Sequence, residues 1–104
     1  MSLSPTQLTL RELRKQGYVA QVTEHWNQFA RIRQDLFGVI DVLALATDCV
    51  LGVQATSASN VSARVTKIAE HENTPHIRKA GIRLEVWGWR KVKNKWECRV
   101  VDVS

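Results

Sequence analysis

Apolar residues recur along this chain with two spacings, and the switches between them mark out its elements. Near the start, in SPTQLTLRELRKQG, Ser4 is placed to cap a helix, Pro5 suits its first turn, and Gln7 completes a capping box. Leu10 and Leu13 supply its apolar contacts and Gly17 ends it. Residues 18–23, YVAQVT, alternate as a strand does. Residues 24–35, EHWNQFARIRQD, hold two aromatics among polar and basic residues without a clean period, and read as a loop with one short helical turn. Residues 38–46 and 50–56 are the two most strand-like segments, joined by a tight turn at Thr47-Asp48. TSASN then opens a helix with Val61, Val65, Ile68 and Ala69 as its apolar stripe and Arg64, Lys67 and His71 on a polar face. Pro75 breaks or kinks it and Gly81 closes the segment. Residues 82–89 and 96–103 form two further strands linked by RKVKNK. The order α-β-β-β-α-β-β predicts one α/β domain over residues 1–104, with a mixed, mainly antiparallel sheet flanked by helices.

The central hairpin carries the informative polar residues. On the first strand Val39, Asp41, Leu43 and Leu45 share one face, and Ile40, Val42, Ala44 and Ala46 the other. Both faces are apolar, so the strand is expected to be buried on both sides. An ionised Asp41 there is costly unless it is paired, hydrogen-bonded or bound to a metal. A turn symmetric about Thr47-Asp48 sets Ala46 against Cys49 and therefore Asp41 against Gln54, with Thr56 on the same face opposite Val39. A slip of one residue would send Gln54 to the other face. The two readings of Asp41 are a metal ligand, or a buried acid paired with an arginine or hydrogen-bonded by Gln54 and Thr56.

An Asp on one strand facing a polar-x-polar pair on the next resembles the PD-(D/E)XK nuclease superfamily, in particular small Holliday junction resolvases and phage-type VRR-NUC-like nucleases. The likeness runs along nearly the whole chain, through QGY, VIDVLAL, VLGVQATS, the basic helix and WECRVVDVS. It implies a restriction-endonuclease-like fold and magnesium- or manganese-dependent hydrolysis of phosphodiester bonds in branched or single-stranded DNA. A homodimer is implied too, since two cuts need two sites. Asp41 matches the family's strand Asp, Gln54 stands where the family has Glu, and Thr56 where it has Lys. Gln54 keeps a carbonyl oxygen for a hard cation without a negative charge. Thr56 can orient a water but brings no positive charge. Glu24 and Asp35 are the acids able to complete the ligand set, and Lys67 or Arg64 the cations able to replace the lysine. An acid on the first helix has no counterpart near Thr6 and Gln7, and Glu12 is the only carboxylate there. These departures leave a second reading, a catalytically inactive nuclease-fold protein that binds DNA or a partner protein, and a third, a basic α/β domain with an unrelated role.

Composition sharpens the choice of partner. Fifteen Lys and Arg against ten Asp and Glu give a net charge of +5. Such a surface attracts polyanions, of which nucleic acid is the commonest. Arg31, Arg33, Arg64 and Lys67 are the phosphate-contacting candidates near the hairpin, and Arg90, Lys91, Lys93 and Lys95 crowd the tip between the last two strands. Trp87 and Trp89, beside that tip, either stack bases or pack core or a dimer interface. Trp26 and Phe29 form a second aromatic cluster next to Arg31 and Arg33. Asp35 could instead cap a turn or pair with Arg31 or Arg33, and Glu24 could be a solvated strand end. Cys49 and Cys98 read as buried reduced thiols, and HENTPH lacks the i, i+4 histidine spacing of a zinc site. With no basic-then-apolar leader and no apolar run near 20 residues, the expected setting is intracellular, in the cytoplasm and away from membranes.

Overall fold

The first helix, α1 (Pro5–Lys15), begins where the sequence places it. Ser4 Oγ accepts from the Gln7 amide, and Gln7 Oε1 accepts from the Ser4 amide. The computed structural model describes residues 3–104. Strand β1 (Val19–Val22) follows, and then residues 25–34 depart from the expected loop. They form a two-stranded ribbon, β2 (His25–Asn27) against β3 (Ile32–Gln34), separate from the main sheet. Next come β4 (Val42–Leu45), β5 (Val50–Ser57), a 3-10 turn, and α2 (Val61–Glu70). Pro75 does not kink that helix but sits in the first turn of a separate short one, α3 (Thr74–Lys79). Of the last strands, β6 (Ile82–Val92) runs three residues further than expected, and β7 (Lys95–Asp102) keeps its expected length one residue earlier. They absorb most of RKVKNK and close through Lys93-Asn94, both at positive φ, as a tight two-residue hairpin turn requires.

The five-stranded sheet has the order β1-β4-β5-β6-β7. Strands β1, β4 and β5 form an antiparallel meander, β6 lies parallel to β5 after the helical crossover, and β7 returns antiparallel. The sheet is thus mixed and flanked by helices, in one α/β unit. Helix α1 covers one face, where Leu8 and Leu13 pack with Ala20, Val42, Ala44, Leu51, Val53, Trp87 and Trp89. The tryptophans are core residues, and the Trp89 Nε1 donates to the buried Thr9 Oγ1 at 2.9 Å. Helices α2 and α3 cover the other face over Val39, Ile40, Val61, Ile68, Ile77, Leu84 and Val86. The two cysteines are free but half-buried rather than buried. Among the described residues no helix is long and apolar enough to cross a membrane.

Strand β4 starts later than the apolar run suggests. Phe37 and Gly38 both adopt positive φ, and Leu36 and Ile40 exchange backbone hydrogen bonds across a tight loop. The His71 ring fills the space a Cβ at residue 38 would need. Val39 therefore turns into the α2 side of the core instead of pairing with Thr56.

Candidate functional site

The β4–β5 register is the one a symmetric turn dictates, with Val42 opposite Val53, Leu45 opposite Val50, and the Ala46 amide donating to Cys49 O. One residue beyond the ladder, the Asp41 amide donates to Val53 O, and Asp41 lies against Gln54. Gln54 Nε2 donates to Asp41 Oδ2 at 2.6 Å, and the Ala55 amide donates to the same oxygen at 2.9 Å. Thr23 fixes the backbone here, donating its amide to Asp41 O and its hydroxyl to Ile40 O.

Two further registers bring the other acids in. The Leu36–Ile40 bridge, extended by one residue on each side, sets Asp35 opposite Asp41. The ribbon pairs His25 with Gln34, so the next step sets Glu24 opposite Asp35. Three turns thus chain Glu24, Asp35, Asp41 and Gln54 as successive cross-strand neighbours. One carboxylate oxygen from each of the three acids lies within 4.8 Å of the others. Gln54 Nε2 also donates to Asp35 Oδ2 at 3.3 Å, and Lys67 Nζ stands 4.0 Å from that oxygen. Asp35 pairs with Lys67 across the site, not with Arg31 or Arg33; Arg33 reaches Glu24 instead, at 3.9 Å.

The electrostatics follow from burial first and from this crowding second. Asp41, 4% exposed, is pushed up to about 8, by burial first and then by the hydrogen bond and negative charge of Asp35; the Ala55 and Gln54 donors only partly offset this. Burial also acts to raise Asp35, but hydrogen bonds from Asp41 and Gln54 and the charges of Lys67 and Arg64 hold it below the ordinary carboxylate range. The two shifts run in opposite directions: burial favours the neutral form of Asp41, and the neighbouring donors and cations favour the charged form of Asp35.

The donor set fits a hard divalent cation: three carboxylates and an amide, all offering oxygen. Gln54 is 2% exposed, and among the described residues its Oε1 is buried without a hydrogen-bond partner. Such an orphan costs about 1–3 kcal/mol. Turning the amide end over would present that oxygen where Nε2 now bridges the acids.

Other candidates lie apart. Thr56 is buried one pleat beyond Gln54, outside the hydrogen-bonded cluster. Glu12 accepts from Gln16 at the end of α1 and, with Trp87 and Trp89, lines a groove on the opposite face of the sheet. Arg90, Lys91, Lys93 and Lys95 are remote. Gln54 pairs with Val86, and from Val86 to Val92 the strand advances about 20 Å. Arg90 is also tied to Glu97 at 3.1 Å, and Lys91 rests over the Trp96 ring. Sequence reasoning missed the Ala55 amide and the Thr23 clamp. The register that places Gln54 also places Ala55, so only the second lacked a signal. No family model matches this chain, and no curated protein or solved structure matches it.

Proposed function

We propose that this chain is a metal-dependent DNA endonuclease of the PD-(D/E)XK type that hydrolyses phosphodiester bonds in branched or single-stranded DNA, with Glu24, Asp35, Asp41 and Gln54 holding magnesium or manganese. One observation carries the reading: one carboxylate oxygen from each of three acids, the buried Asp41 and the half-buried Glu24 and Asp35, lies within 4.8 Å of the others, where burial and the charge of Asp35 push Asp41 up to about 8. A structural role does not need that repulsion, whereas a cation relieves it. The element order supports a restriction-endonuclease-like core, with α1, the meander β1-β4-β5, α2 and the parallel β6 in sequence and the β2–β3 ribbon as an insertion. Asp41 anchors the ligand set, and Lys67, beside Asp35, brings the positive charge that Thr56 lacks. A bound divalent ion would lower the pKa of a water and offset charge on the phosphate. Arg33 and Arg64 flank the acids and suit phosphate contact.

The second reading, a DNA-binding protein that does not cut, is favoured by the Gln54 amide, whose Nε2 bridges Asp41 and Asp35 as a cation would. Incubation of branched and single-stranded DNA with the protein and manganese separates the two. The endonuclease reading expects nicking that Asp41→Asn abolishes without loss of fold, because Asn replaces a protonated Asp. Salt-sensitive binding with no cleavage under magnesium or manganese would instead establish the inactive protein.

A further inference from the structure

The β2–β3 ribbon has features that the acid cluster does not use. Its base holds Glu24 and Asp35, yet its body stands outside the five-stranded sheet. At its tip Phe29 is 93% exposed, with Trp26 and Ile32 more than half exposed behind it. A two-stranded ribbon is marginal in water by itself, and exposing its largest apolar side chains stabilises nothing. The tip is nevertheless built. Asn27 Oδ1 accepts from the Phe29 and Ala30 amides at 3.0 and 3.1 Å, Asn27 Nδ2 donates to Gln34 Oε1, and Arg31 takes positive φ. This capping fixes the backbone of the turn on which the exposed Phe29 stands. Residues 25–34 contain two arginines and no acid.

We propose that the ribbon is a wedge, in which Phe29 stacks on an unpaired base where single-stranded DNA meets duplex, Arg31 and Arg33 grip the adjoining phosphates, and the ribbon base delivers that strand to the acids. The inference builds on the DNA-directed reading above and names its substrate class, a duplex with a splayed or branched end. Every base offers a π-face, so stacking tolerates any sequence. A paired base inside a duplex has both faces covered, so the ring finds a partner only at a fork or flap. The reach fits as well, because five residues separate Phe29 from Glu24, at most about 17 Å of extended chain.

The test is fluorescence anisotropy in EDTA, with labelled forked DNA and a fully paired duplex of equal length as probes. The wild-type chain should prefer the fork. Phe29→Ala should weaken fork binding about tenfold, as loss of one stacked base implies, while duplex binding stays within about twofold. Phe29→Trp should restore the fork preference. The position is exposed, so neither change threatens the fold. Equal fork binding by wild type and Phe29→Ala, or equal losses on fork and duplex, would overturn the wedge. A wild-type dimer that becomes monomeric on Phe29→Ala in sedimentation velocity would also overturn it, making the tip a self-association surface. Cleavage of the same forked DNA by the wild-type chain in manganese, measured beside the binding series, separates this idea from the nuclease reading. A chain that grips forks through Phe29 but cuts nothing keeps the wedge and loses the nuclease; one that cuts and ignores Phe29 does the reverse.

Discussion

Asp41 concentrates the energetic conflict of the molecule. Its folded pKa lies above the ordinary 3.8, so the folded chain keeps a proton that the unfolded chain releases. The associated stability is fully present below about pH 4 and is lost as pH rises toward 8. Asp35, held low, acts in the opposite sense and withdraws its stability only as the solution becomes strongly acidic. Metal-free protein should therefore melt several degrees lower at pH 8.5 than at pH 5.5, given about 4–8 °C per kcal/mol for a domain of this size. Asp41→Asn should flatten that slope in a calorimetric series. A wild-type melting temperature that does not fall across this window would remove the buried proton from the account. At this scale the sequence was legible where one register decides the outcome: the turn at Thr47-Asp48 alone fixes Asp41 against Gln54. The Asp35–Asp41 contact was hidden, because it depends on positive φ at Phe37 inside an apolar run that reads as strand.

Among the elements, β4, β5 and α2 matter most, since their packing sets the acids against Lys67. Gly52 permits it. A Cβ there would meet Ile40 Cδ1 at 2.7 Å and Leu84 Cδ2 at 3.2 Å, and Ile40 is the residue before Asp41. Gly52→Ala should cost about 1–3 kcal/mol by overpacking and weaken manganese binding alongside, through displacement of Ile40. Denaturant unfolding with and without manganese checks both effects, and a neutral substitution would mean that the site tolerates movement of its floor. The capped α1, the β4–β5 turn and the amphipathic α2 were all legible, because each has a buried stripe or a capping residue that local sequence displays. The β2–β3 ribbon was not. Its residues are exposed or half-exposed on both faces, so no period of burial marks it as strand.

Over the whole molecule, which carries a net charge of +5, two groups of basic residues bear on DNA binding. Arg33, Arg64 and Lys67 ring the acids, while Lys91, Lys93 and Lys95 project from the far end of β6–β7. Each phosphate contact adds about 0.9 to the slope of log K against log salt, so Arg33→Ala with Arg64→Ala should reduce that slope by about 2. An unchanged slope would move the DNA to the β6–β7 tip and away from the acids. The claim beneath all of this is that Glu24, Asp35, Asp41 and Gln54 make a cation site. Anomalous scattering from a crystal soaked in manganese at pH 8 tests it most directly. The account predicts a peak among the three carboxylates, with the Gln54 amide turned to present Oε1. A map with no peak there, and Nε2 still bridging Asp41 and Asp35, would contradict it.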